Sequence, residues 1–272
     1  MRELVIAGVR MEYERPRTHE RVLALEDVSL TVTNGSFLSV VGPSGCGKST
    51  LLSIIDGLVK PTAGSVEIDG RSIVSPGRDR AVVFQEASLF PWFTTLRNCA
   101  YGLECQGLRR KEAEERVAPL LAMVGLTGFE RHYPSELSVG MQQRANLARA
   151  LAVDPDVLLM DEPFAALDAQ TREFMQAELL TIWAQAKKTV VFITHQIDEA
   201  IYLSDRVVVM SARPGRIIDD IAIQLERPRS LEIKRRPAFI EIEQHIWGRL
   251  VNEVKAEDAL EREEALDERS AP

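Results

Sequence analysis

Short apolar runs rich in Val, Ile, Leu and Phe punctuate the chain at residues 28–32, 37–41, 66–68, 81–84, 157–160, 189–193 and 207–210, with Gly, Pro, Asn or Asp around them. Runs of this length and composition predict β-strands. Several lack the apolar–polar alternation of a half-exposed strand, so their sheet is expected to be covered on both faces, as in parallel α/β folds. Helical spacing of apolar positions falls between them, at residues 48–58, 109–124, 140–152, 169–186 and 197–203. Strand and helix alternate towards both ends of the chain, whereas residues 87–152 read as helices without a strand. That stretch is expected to be a helical insertion in an α/β core. After the Arg-Pro pairs near Pro228 the sequence reads as a strongly charged helix ending in the acidic tail EREEALDERSAP. A solvated terminus is the plain account of such a charge run. The expected division is residues 1–225 as the main domain and 226–272 as a helical extension.

Composition narrows the classes. The 272 residues are 45% hydrophobic, ample for a packed core. Charges interrupt every apolar run well before the ~18 residues that a membrane-spanning helix needs. The five-residue apolar stretch before Arg10 is too short for a secretory signal. Cys46, Cys99 and Cys105 are odd in number and lack CxxC spacing, which points away from a disulfide framework or zinc cluster and predicts a reducing, intracellular setting. With 33 Lys and Arg against 41 Asp and Glu, the net charge is −8. That balance argues against a general nucleic-acid binder, because phosphate backbones are held by clustered cations.

One segment carries specific chemistry. GPSGCGKST, residues 42–50, follows the strand at 37–41 and opens the helix at Lys48. It satisfies G-x-x-x-x-G-K-[ST] in the strand–loop–helix context the motif requires. Gly42, Gly45 and Gly47 are expected to supply torsions other residues disfavour, so that successive N–H groups, with Pro43, Ser44 and Thr50 completing the loop, converge on phosphates at a helix N-terminus. Lys48 reaches the β- and γ-phosphates in this reading, and the Ser49 hydroxyl is a Mg²⁺ ligand. Cys46 reads as a small residue with an exposed side chain, open to thiol modification.

Ligands of parallel sheets gather at the carboxyl edge of the strands. The strand at 37–41 runs into the phosphate loop, that at 81–84 into Gln85, that at 157–160 into Asp161 and Glu162, and that at 189–193 into Thr194 and His195. If these strands are parallel neighbours, the four groups meet around one nucleotide. Consecutive carboxylates on a continuing strand point to opposite faces, but at a strand end the backbone can turn and bring the second forward. Asp161 then serves the magnesium shell, directly or through water, and Glu162 polarises the attacking water as general base. Each residue singly also has a plain account: Asp-Glu-Pro as a turn, Gln85 as a surface amide, His195 as a core or surface histidine.

Taken together, these residues resemble the ATP-binding-cassette ATPases. The resemblance covers about residues 4 to 225 and rests on six motifs in order: GPSGCGKST, Gln85 in VFQEASLF, the signature segment LSVGMQQR (137–144), VLLMDEP (157–163), AALDA (165–169) and His195 in FITHQIDEA. It implies a P-loop cassette with a mainly parallel core, an N-terminal antiparallel β part and an inserted helical subdomain. It also implies a head-to-tail dimer sandwiching two ATP molecules with Mg²⁺. By this resemblance Ser138 and Gly140 face the γ-phosphate held by the partner's loop, which suits the positive end of a helix. Tyr13 stacks on adenine, although an exposed turn tyrosine is an equally plain account. His195 contacts the γ-phosphate, Asp168 links the two sites, and Gln85 touches the magnesium or the water and couples the site to the helical insertion. Val139 stands where the family usually has the first glycine of its signature, and activity is expected to survive this.

The segments SLFPWFTTLRNCAYGLE (88–104) and MSARPGRI (210–217) are similar to those of bacterial importer ATPases for nitrate, alkanesulfonates and taurine. By that likeness Phe90, Trp92 and Phe93 line a groove receiving a short helix of a membrane permease, although core packing explains them as well. The implied assembly has two cassettes, expected to be identical, two permease subunits and an outside solute-binding protein, with this chain peripheral on the cytoplasmic face of the inner membrane. Ile242, Ile246, Trp247 and Leu250 recur at helical spacing and are expected to be packing surface. The alternative is a soluble cassette ATPase acting on DNA or ribosomes, a type expected to carry long coiled coils or two cassettes.

Overall fold

The computed structural model describes residues 3–17 and 19–270, with side chains as far as Glu253. The chain divides into two compact units, one drawn from residues 1–33, 38–74 and 193–272, the other from 34–37 and 75–192.

In the first unit β1 (Glu3–Glu14) and β2 (Arg21–Thr33) form an antiparallel pair, and β4 (Ala63–Ile68) and β5 (Arg71–Ser72) extend it to the order β2-β1-β4-β5. This is the antiparallel part that the resemblance implied. β1 contains the apolar stretch before Arg10, and buries Leu4, Ile6, Val9 and Met11 with register shifts along its pairing with β2. β3 (Phe37–Val41) is buried at every position, as its unbroken apolar run predicts, and pairs in parallel with β9 (Arg206–Met210). β10 (Ile217–Ala222) runs antiparallel along β9, and its paired aspartates hid it from the sequence reading.

Helices α1 (Lys48–Asp56), α6 (Ile197–Leu203) and α7 (Pro237–Ser270) complete this unit. α1 stops short of residue 58 because Gly57 turns left-handed at φ 83° and its N–H caps the helix's last carbonyls. α7 is anchored by the buried Phe239 and Ile246, and by Asp219 of β10, which pairs with His245 at 2.8 Å and Arg249 at 2.9 Å. Ala271 and Pro272 of the acidic tail lie outside the described residues. Among the described residues no helix is long and apolar enough to cross a membrane.

The second unit carries the strand order β8-β7-β6, with β6 (Arg80–Val83) parallel to β7 (Val157–Asp161), and β8 (Thr189–Ile193) entered from α5 (Ala169–Ala186). Phe37 packs its ring 5.8 Å from those of both Trp183 and Phe192 at the centre of this core. Helices α2 (Thr95–Cys105), α3 (Arg110–Met123) and α4 (Val139–Ala152) lie between β6 and β7 in sequence. α2 buries Thr95 and Asn98 beside Cys99, Ala100 and Leu103, and takes its start from Thr94, whose hydroxyl accepts from Arg97 N.

Candidate functional site

The phosphate loop lies in the first unit between β3 and α1. Gly45 and Gly47 have φ of 78° and 102°, the left-handed torsions expected of them. Gly42 has an ordinary φ and is needed for room: a Cβ there falls 2.8 Å from Cys46 Sγ and 3.1 Å from Met210 O. Gly47 is the N-cap of α1 and offers no side-chain hydrogen bond to the first-turn N–H groups, leaving that helix end to an anion. Lys48 is buried, and its Nζ donates to the carbonyls of Gly42 and Pro43, both at 2.8 Å, which holds the ammonium within the loop. Ser44 and Ser49 are exposed, and Pro43 and Thr50 half-buried.

Cys46 corrects the sequence expectation. Its side chain is 1% exposed because it turns inward against Gly42 and lies 3.7 Å from Lys48 Nζ. Burial pushes its thiol pKa up despite the nearby ammonium. A protonated, enclosed thiol is a poor target for modification.

The MSARPGRI segment braces the loop from behind. Arg213 Nη2 donates to Gly45 O at 3.2 Å, Gly215 exchanges backbone hydrogen bonds with Ala24 and Glu26, and Arg216 pairs with Glu26. Gly215 approaches so closely that a Cβ there falls 2.1 Å from Cys46 O. Gly215→Ala is therefore expected to displace the brace and destabilise the chain by about 1–3 kcal/mol. Thermal unfolding checks this against Gly248→Ala, where nothing lies within 4 Å of the new methyl. Equal stabilities of the two variants contradict the bracing.

His195, exposed at the end of β8, follows Thr194, whose N–H donates to Val40 O of β3 at 3.3 Å. It lines a cavity of about 470 Å³ together with Gly42, Pro43, Ser44 and Trp247 of α7. Ile246 is packing surface as expected, but Trp247 is 62% exposed and stands beside the phosphate loop, a placement its helical spacing did not announce. Tyr13 is 42% exposed and sits near the end of β1 opposite Val22, in a strand and not a turn.

In the second unit Asp161 ends β7 and Glu162 follows at φ 44°, a left-handed torsion that is strained for a residue with a side chain. The backbone thus turns at the position where the sequence reading required it, and both carboxylates are half-buried. Asp168 caps α5, accepting from Gln170 N, Thr171 N and the Thr171 hydroxyl, and the last of these chiefly draws its pKa below the usual carboxylate range. Ser138 caps α4 by accepting from Met141 N, with Gly140 in the first turn. Val139 occupies the first helical position, so the missing glycine costs α4 no backbone strain.

Gln85 has an exposed side chain, and its carbonyl accepts from Gln143 Nε2 of α4 at 2.6 Å. Just beyond it Phe90, Trp92, Phe93 and Tyr101 form a ring cluster in which Trp92 is 67% exposed. The polar face of α4 that holds Gln85 was missed in the sequence. Its signal is Gln143, Asn146 and Arg149 at threefold spacing on an otherwise apolar, buried helix face.

Among the described residues no group of three or more His, Cys, Asp and Glu could hold a metal alone. Taken singly, the Ser49 hydroxyl at the start of α1 in the first unit and the Asp161 carboxylate at the end of β7 in the second are hard oxygen donors of the kind Mg²⁺ takes.

A strand–loop–helix phosphate site, a carboxylate pair at a strand end and a capped helix bearing the signature segment define a nucleotide-hydrolysing cassette. The chain matches the ABC transporter family over residues 25–165 and belongs to it; it is an ABC ATPase. It is 54% identical over 234 residues to an uncharacterized ABC transporter ATP-binding protein of Methanocaldococcus jannaschii, covering 86% of each chain. It is 48% identical to the aliphatic sulfonates import ATP-binding protein of Bacillus cereus (83% of this chain, 87% of that one), and 45% identical to the nitrate import ATP-binding protein of a Synechocystis species (86% and 92%). Among solved structures it is similar to a dimeric ATP-binding cassette in a post-hydrolysis state bound to ADP and Pi. That likeness has a TM-score of 0.71 and 33% identity, and covers 82% of this chain and 100% of the other.

Proposed function

We propose that this chain is the ATP-hydrolysing subunit of an importer for a small anion of the nitrate, alkanesulfonate or taurine type, working as a pair of identical cassettes beneath a membrane permease. Its kinship with the sulfonate and nitrate import proteins is the observation that carries this reading. The exposed aromatic cluster directly after Gln85 supports it, because a surface of this kind suits a helix offered by a permease. The carried solute leaves no trace in this chain, since it passes through the permease and is captured outside by a solute-binding protein.

In this reading the loop N–H groups from Gly42 to Thr50 and the Lys48 ammonium hold the phosphates of ATP, and Tyr13 stacks on the adenine. Ser49 and Asp161 would hold Mg²⁺, which would supply charge neutralisation on the phosphate oxygens. Glu162 takes a proton from water as its oxygen attacks the γ-phosphorus, and the bond to the β-phosphate breaks to give ADP and phosphate. His195 and Gln85 orient the γ-phosphate and the water. Ser138 and Gly140 of a second cassette close over the same phosphate, and Asp168 joins the two sites. The chain works at the cytoplasmic face of the membrane without entering it.

Affinity purification of the tagged chain from detergent-solubilised membranes tests the importer reading. Integral membrane permease subunits are expected to copurify. Recovery of ribosomes or nucleic acid in their place overturns the reading in favour of a soluble cassette ATPase.

A further inference from the structure

α4 grips the loop that carries Gln85 through three side chains set three residues apart. Gln143 Nε2 donates to Gln85 O at 2.6 Å and Asn146 Nδ2 to Phe84 O at 3.4 Å, while Arg149 donates to Ala87 O and Ser88 O, both at 2.9 Å. The three are also bonded in series: Arg149 Nη2 reaches Asn146 Oδ1 at 2.8 Å, and Asn146 Nδ2 reaches Gln143 Oε1 at 3.5 Å. Gln143 and Asn146 are buried, so a partner lost from either leaves a polar group with little access to water, which is costly. The grip continues beyond the loop. Asn98 of α2 accepts from Phe90 N at 2.7 Å and donates to the carbonyls of Phe90 and Phe93, fixing the backbone of the aromatic cluster.

We propose that Gln143, Asn146 and Arg149 are positioning residues that clasp the Gln85 loop to the signature helix, so that the two move as one part. This rests on the proposed function, in which the N-terminus of α4 meets a γ-phosphate and the aromatic cluster meets the permease. A helix is stiff along its axis, and Ser138 is the N-cap of the helix in which Arg149 is the eleventh residue. Displacement of the signature segment on capturing phosphate is therefore delivered to the carbonyls of residues 84–88, and from there through Asn98 to Phe90 and Phe93. The same path runs backwards: a permease that shifts the aromatic cluster shifts Gln85 and the signature segment together. The clasp touches no phosphate itself, which separates its loss from a loss of ATP binding.

The test compares Arg149→Ala, Arg149→Lys and Gln143→Leu in the full chain. The last keeps the volume and removes one donor, so it serves if Arg149→Ala fails to fold. Steady-state hydrolysis gives kcat, and ATP affinity is measured by calorimetry with Glu162→Gln added to stop turnover. Arg149→Ala and Gln143→Leu are expected to lower kcat about tenfold, the loss of one strong hydrogen bond's worth of alignment, and to leave ATP affinity within about twofold. Arg149→Lys, which can still donate to a carbonyl, is expected to regain most of the rate. Amide exchange over residues 84–88 is expected to quicken in Arg149→Ala and to lose its response to ATP. A parental kcat, an ATP affinity that falls in step with kcat, or unchanged exchange over residues 84–88 overturns the clasp. Wild-type chain that hydrolyses no ATP counts against the proposed function, while the exchange rates without nucleotide still decide the clasp.

Discussion

Glu162→Gln is expected to slow ATP turnover by ~10²–10⁴-fold while ATP still binds. The substitution keeps the size and hydrogen-bonding reach of the side chain and removes its ability to take a proton. It leaves the backbone where Glu162 already sits, at φ 44°, so the strained turn after β7 is retained. Non-glycine residues are held in that region only where their surroundings impose it, and such positions gather at functional sites. Steady-state release of phosphate from the purified chain measures the effect. A variant turning over at the parental rate removes Glu162 from the role of base.

Lys48→Ala is expected to weaken ATP binding by roughly 10- to 150-fold, the equivalent of about 1.5–3 kcal/mol for hydrogen bonds to a charged group. The structure adds a second effect to the loss of charge. Lys48 Nζ now bridges the carbonyls of Gly42 and Pro43, so its removal leaves both without that donor and slackens the loop that must cradle the phosphates. Calorimetric titration with ATP reads the affinity, and thermal unfolding without nucleotide reads the slackening. Unchanged affinity contradicts the phosphate-loop assignment.

The parts of the fold that were legible in the sequence are those whose local pattern is unambiguous. β3 and β8 are buried on both faces, so their apolar runs end where the strands end, and α5 and α6 were bounded to the residue. β10 was not legible because IIDDIA places two acids in an edge strand, where water tolerates them. α2 was hidden because the residue that organises its neighbourhood, Asn98, is polar and fully buried, and its hydrogen bonds to Phe90 and Phe93 are tertiary facts. The phosphate loop was legible because its chemistry is local, with every group within nine residues of sequence. Its supports were not. Gly215 and Arg213 reach Cys46 and Gly45 from far along the chain, and no spacing rule connects them. Cys46 was misread for the same reason, since whether a loop side chain points out or in depends on what stands behind the loop.

In the proposed function this chain works by closing as a pair of cassettes over ATP. The most direct test is the mass of the Glu162→Gln variant by size-exclusion chromatography with light scattering, with and without Mg-free ATP. The variant is expected to be a monomer that becomes a dimer when ATP is added. A variant that binds ATP and remains a monomer contradicts it.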